Sequence, residues 1–439
     1  MNRPESSATG PAHTGLIKAA VILTYMVFGA LLNSVGSIIL LTTQSMGASQ
    51  AQASLLDAYK DLPIAIVSFL VASLLPRLGL KNAMLIGLAA VGAGCAAMPE
   101  LAAFWAIKLM LVTIGAAFAL VKVSAYSMIG LMTRDERGHA SFTNLLEGMF
   151  MFGVLGGYWL FSQAIDDANP QSLAWLHVYW VLATVVALSF VLLMASRIDE
   201  TEARPSGPSP TLAADLGAMW TLLAIGLVVV FLGAAFLYVL IEQGVGTWLP
   251  TFNRDVLKMP TAMSVGLTVI MPLSIALGRL LSAAVIARVG WYAVVNTCVA
   301  AVAALIVLTL AQSSGLRPDP QMSWLRAPAV AYYFPLIGLF LAPIYPAINS
   351  AMLSVLAKSR HAAMTGLIVI FSALGGSSGS FITGRMFMAF DGRTAFALLL
   401  VPVAGLALAL WFFRRGLARR AASGRSTDAA AQLAPSAMH

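Results

Sequence analysis

The chain of 439 residues carries 26 lysines and arginines against 18 aspartates and glutamates, and 59% of its side chains are apolar. Charged residues make up only 10%, against about 25% in soluble domains, so too little charge is left to coat a water-soluble surface and an all-α membrane protein is expected. Cys95 and Cys298 both fall inside apolar runs, which argues against a disulfide framework, and no metal-ligand cluster, nucleotide-cradling loop or nucleophile motif occurs, so no metal, cofactor or enzymatic activity is expected.

A spanning helix needs about 20 mostly apolar residues, and the chain offers twelve such runs. Residues 1–16 form a short polar tail, with the first span serving as its own insertion signal. The first six-helix bundle, residues 17–195, holds Gly15–Thr43, Ser54–Pro76, Asn82–Met98, Ala102–Met132, Ala140–Ile165 and Leu173–Ala195. Residues 196–216, with Asp199, Glu200, Glu202, Arg204 and a proline cluster, read as a polar linker. The second bundle, residues 217–415, holds Gly217–Pro250, Ala262–Ala287, Trp291–Gln312, Pro328–Ala357, Ala362–Phe390 and Thr394–Phe413, and residues 416–439 read as a disordered tail.

Cations concentrate on one side of this arrangement. Arg77, Lys81, Arg134, Arg137 and the run from Arg414 to Arg425 share a face, whereas the other holds Arg254, Lys258, Arg317, Arg326 and Arg393. Loops rich in lysine and arginine stay cytoplasmic, which puts both termini on the cytoplasmic side of a bacterial-type inner membrane. The net charge of +8 thus follows from topology and calls for no nucleic-acid partner. The halves also echo one another. Arg77-Leu-Gly79 after span two matches Arg288-Val-Gly290 after span eight, and His139 to Thr143 matches His361 to Thr365; in that register Gly153 falls on Gly375 and Gly157 on Gly379.

Charges inside spans carry the functional expectation, because an ionised side chain deep in a bilayer needs a partner or water. Lys122 lies twelve residues before Arg134 and Glu147 ten after Arg137, so both sit about 15–18 Å from one membrane face. Two readings follow: Lys122 lines a wet cavity and binds an anionic group, with Tyr126 one turn on and Glu147 as proton carrier, or Lys122 and Glu147 form a structural pair while Lys108 snorkels outward. Glu242 and Gln243 in span seven precede Gly244 and Gly246, where a helix break would expose backbone to a site; Glu242 is a second candidate for proton coupling. The plainer alternative bonds Glu242 to a neighbouring hydroxyl. Asp57, Lys60 and Asp61 occupy one turn near the outer end of span two and suit an ion cluster at a gate. Arg279 reads as an anchor at the cytoplasmic end of span eight. Asn33 in span one and Asn349 in span ten complete the candidate substrate-binding set with Lys122, Tyr126 and Gln243.

Twelve spans, a charged central linker, and Arg-x-Gly after spans two and eight resemble the major facilitator superfamily over essentially the whole chain. Gly338 to Pro346 in span ten, Gly366 to Gly376 in span eleven, Glu242 to Trp248 in span seven and Tyr59 to Pro63 in span two are similar to the fucose-permease-like sugar:proton symporters. The resemblance implies two pseudo-symmetric six-helix bundles, alternating access and a central cavity. That branch carries an acid in span one and a glutamate in span four; here Asn33 and the segment from Lys122 to Ser127 stand instead, so its sugar specificity and coupling residues do not carry over. The expectation is a monomeric, proton-coupled carrier of a small anionic solute such as a sugar acid, an organic carboxylate or a carboxylate-rich metallophore. The alternative is an exporter of a hydrophobic drug or secreted metabolite.

Overall fold

A computed structural model describes residues 11–132, 136–197, 200, 212–319, 322–357 and 360–433. The turn at 133–135, most of the linker and the outermost tail residues, all features of the sequence reading, lie outside the described residues. Every regular element among those described is helical. The first span is α1 (Pro11–Asn33) and α2 (Val35–Ser45), the second α3 (Gln50–Ala53) and α4 (Leu56–Leu78), and the third to fifth are α5 (Leu80–Leu101), α6 (Phe104–Met132) and α7 (Glu136–Gln163). A 3-10 turn at Ala174–His177 leads into α8 (Val178–Ala195). In the second half come α9 (Leu212–Leu223) with α10 (Gly226–Asp255), α11 (Thr261–Leu267) with α12 (Ile270–Val289), and α13 (Trp291–Gln312). The tenth span is assembled from α14 (Val330–Tyr333), α15 (Ile337–Leu341) and α16 (Ile344–Ser354); α17 (His361–Ala389), then α18 (Gly392–Leu398) with α19 (Leu400–Leu433), close the chain. Eleven of these units are long and apolar enough to cross a membrane among the described residues. The remaining one contains α4, which packs against both α6 and α17.

Three boundaries differ from the sequence reading, each for a local reason. Ser49 and Gln52 form a capping box, with Gln52 N donating to Ser49 Oγ at 3.2 Å and Ser49 N to Gln52 Oε1 at 3.1 Å, so the second span starts four residues before Ser54. Lys60 lies four residues into α4, which starts at Leu56. No break occurs at Gly244 or Gly246, since α10 runs unbroken through both; breaks fall elsewhere, among them at Ser34, at 224–225, at 268–269 and at 342–343, beside Pro343. At the C-terminus α19 continues past Phe413 through Arg425 to Leu433, consistent with the high helix propensity of its alanines.

The two halves pack alike. In the first, α1 lies on α7 and α8 and α4 on α6; in the second, α10 lies on α17 and α19 and α12 on α15. Small residues let spanning helices approach closely, and the repeat register places them at matching contacts. Gly153 abuts the backbone of Met26 and Gly157 that of Ala30, while Gly375 abuts Phe236 and Gly379 abuts Leu240. The paired motif glycines are equally constrained: Gly79 ends α4 at φ +79° and Gly290 ends α12 at φ +89°, conformations that a side chain disfavours. Across the bundles, α4 meets α17, α7 meets α11, and α2 meets α10.

One linker residue holds the first bundle's loop in place. Glu200 accepts from Leu80 N at 2.9 Å and Lys81 N at 2.8 Å, capping α5, and Lys81 Nζ returns to the end of α8 through Ser196 O at 2.6 Å and Met194 O at 3.0 Å. An anion at a helix start and a cation at a helix end both complement the backbone dipole.

Candidate functional site

The deepest charged cluster forms where α4 faces α1 and α10. Residues three and four apart share a helix face, so Asp57, Lys60 and Asp61 converge. The Lys60 ammonium lies 3.1 Å from Asp57 Oδ1 and 3.5 Å from Asp61 Oδ1. Its third acceptor is the Leu32 carbonyl at 3.2 Å, available because α1 stops at Asn33 and the last carbonyls of a helix lack intrahelical partners. Asp57 also accepts from Thr247 Oγ1 of α10 at 2.7 Å, tying the two bundles together. Thr247→Val keeps the shape but removes that donor. It is expected to lower stability by about 1–3 kcal/mol, read as a reduced melting temperature of the purified protein that Thr247→Ser restores.

This cluster stands between two cavities. The larger, about 760 Å³, is lined by Asp61, Lys122, Tyr126, Gln243, Tyr345 and Ser372 among other residues, and its size suits a small organic ligand. The smaller, about 190 Å³, is lined by Asn33, Asp57, Lys60, Glu242, Gln243 and Arg279 among others. Gln243 borders both. Met219 of α9 and Thr365, one turn into α17, also line the larger cavity. At one face the bundles close, with α2 on α10 and α3 on α17, the Gln44 amide 3.1 Å from Thr261 Oγ1, and Ala262 N donating to Asp167 at 3.1 Å.

Lys122 faces the larger cavity with its ammonium 5.8 Å from the Phe118 ring, and no carboxylate lies within 4.0 Å of it among the described residues. Glu147 instead accepts a hydrogen bond from Tyr126 and lines neither cavity. The two charges share a depth yet do not pair. Lys108 lies outside the cavity, over the rings of Phe104 at 5.0 Å and Tyr59 at 5.9 Å. Glu242 accepts from Tyr238 at 2.9 Å, one turn back on the same helix. Arg279, expected as an end anchor, lines the smaller cavity within Coulombic reach of Glu242. Asn33 donates to its own helix at Gly29 O, 3.0 Å away. Asn349 lines neither cavity and sits one turn beyond Tyr345, which does.

Several site residues escaped the sequence reading. Tyr345 bonds Ser372 at 2.8 Å and stacks on Tyr238 with centroids 5.4 Å apart, linking the wall of the larger cavity to Glu242. Thr247 is 190 residues from the aspartate it serves, and Phe118 joins Tyr25, Phe28 and Phe150 in an aromatic cluster behind Lys122. Tyr345 and Thr247 did have a signal, since they lie inside the Gly338 to Pro346 and Glu242 to Trp248 segments that carry the resemblance.

No curated protein matches the chain significantly by sequence. Among solved structures, a mutant of the nucleoside transporter NupG aligns at a TM-score of 0.73 with 15% identity, covering 91% of this chain and 99% of that one. A bacterial homologue of the human lysosomal transporter Spinster, inward-facing and unoccupied, aligns at 0.72 with 12% identity over 94% and 99%. The Escherichia coli fucose:proton symporter FucP aligns at 0.57 with 16% identity over 92% and 98%. The sequence profile of the Major Facilitator Superfamily matches residues 21–379, more than half of the chain, and the helical order, paired bundles and central cavity are those of that fold: the chain belongs to the Major Facilitator Superfamily and is a membrane transporter, not an enzyme.

Proposed function

We propose that this transporter is a proton-coupled carrier of a small polar solute bearing an anionic group, working by alternating access in a bacterial-type inner membrane with both termini cytoplasmic. The observation that carries the reading is Lys122, a cation on the wall of a cavity of about 760 Å³ with no carboxylate at ion-pair distance among the described residues. A charge held in a spanning helix is costly without a partner, and a substrate carboxylate supplies one. Proton coupling is supported by a neighbouring structure, the fucose:proton symporter. The cation distribution supports the orientation.

The apolar part of the same cavity, including Ile64, Val239 and Ile370, favours a second reading, export of an amphiphilic metabolite or drug. The reconstituted protein is tested with a panel of gluconate, citrate and an aromatic carboxylate under an imposed pH gradient. Accumulation of at least one acid, abolished when the gradient is collapsed, is the expected result. Transport of hydrophobic cations with none of the acids carried would overturn the anion reading in favour of export.

A further inference from the structure

Two carboxylates share one ammonium where Asp57, Lys60 and Asp61 meet, so the cluster holds one negative charge more than it neutralises. The shortfall falls unevenly. Asp57 sits 3.1 Å from Lys60 and also accepts from Thr247, whereas Asp61 lies 3.5 Å from Lys60, its one side-chain donor among the described residues. The Asp57 side chain is 1% exposed and that of Asp61 12%. Asp61 is also the one carboxylate among the described residues that lines the larger cavity. A buried charge without compensation is costly and is relieved by a proton or a cation.

We propose that Asp61 is the proton-binding carboxylate of the transport cycle, a role that the sequence reading gave to Glu147 or Glu242. The inference deepens the proton-coupled reading above and rests on it. A proton from cavity water adds to the Asp61 carboxylate, and the cluster becomes neutral with Lys60 held by Asp57 and the Leu32 carbonyl. Release of the proton restores the negative charge. Glu147 lies off both cavities against Tyr126, and Glu242 faces the smaller one with Tyr238 and Arg279 beside it.

The surroundings of Asp61 explain how its state is transmitted. On α4 it faces Lys60 and Asp57; α10 contributes the uncharged Gln243 and Thr247; α6 contributes Lys122 on the same cavity; α7 contributes Tyr158 near Lys60 and Asp57; and α17 contributes the backbone at Gly376, close enough that an added Cβ would lie 3.0 Å from Asp61 Oδ2. Its protonation therefore acts where α4 of one bundle meets α10 and α17 of the other, contacts that must separate for the closed face to open.

The test is pH-difference infrared spectroscopy of the full-length protein in lipid, with no solute added. Acidification is expected to raise a protonated-carboxyl stretching band in the wild type that is lost in Asp61→Asn and kept in Glu147→Gln and Glu242→Gln. Should Asp61→Asn fail to fold, Asp61→Glu serves: a shifted band supports the assignment and an unshifted one overturns it. A band that survives in Asp61→Asn, disappears in Glu147→Gln or Glu242→Gln, or answers to sodium instead of protons also overturns it. Failure of every acid in the liposome assay leaves this measurement intact, and loss of the band leaves anion recognition at Lys122 intact.

Discussion

Gly153→Ala is expected to open the first bundle, because the added methyl would land on the carbonyl of Met26 in the facing helix. Backbone cannot rotate aside as a side-chain tip can, so α1 and α7 would have to separate along their shared length. Overpacking of this kind costs about 1–3 kcal/mol, occasionally more. A built-in control lies three residues further along the same helix, since an alanine at Gly156 would meet nothing within 4 Å. There the loss of glycine stabilises the helix by up to about 1 kcal/mol. Thermal unfolding of the two variants should move in opposite directions; equal shifts would mean that the contact with Met26 does not hold the bundle together. Gly375→Ala should repeat the loss in the second bundle against Phe236.

For Lys122→Gln the expected effect is on recognition, with the fold retained. The side chain packs beside Phe118 and makes no ion pair among the described residues, so its charge serves little structural purpose. Hydrogen bonds to charged groups contribute about 1.5–3 kcal/mol, which corresponds to roughly a ten- to hundredfold weaker affinity for a carboxylate probe. Counterflow measured at varied probe concentration reads that change. Lys122→Arg should retain most of the affinity, and an uncharged probe carried by the wild type should be indifferent to either substitution. Unaltered affinity for acids in Lys122→Gln would place the anion elsewhere in the cavity.

Much of the framework is legible from residues alone, for identifiable reasons. Apolar length marks the spans because a bilayer demands it. The match of Gly153 with Gly375 and of Gly157 with Gly379 was visible because a duplicated bundle repeats its closest contacts, and helix backbones pass at those four positions. Gly79 and Gly290 stood out for a similar reason, a turn that only glycine makes easily. The depth of Lys122 and Glu147 could likewise be counted from a shared loop. Their failure to pair could not be foreseen, because depth follows from counting residues whereas rotation about each helix axis is set by packing, which turned Glu147 toward Tyr126.

The amino-acid order by itself determined a twelve-span helical carrier in two related halves, with charges at midmembrane depth that needed water or company. Tertiary structure alone decided which company each one keeps: Thr247 reaching Asp57 across 190 residues, the Leu32 carbonyl freed by a break in its helix, and Tyr345 stacked on Tyr238. The division has a physical cause. Burial in lipid depends on composition within one helix, while the partner of a buried charge depends on how neighbouring helices are rotated and pressed together, and that is settled by contacts between residues far apart in the chain.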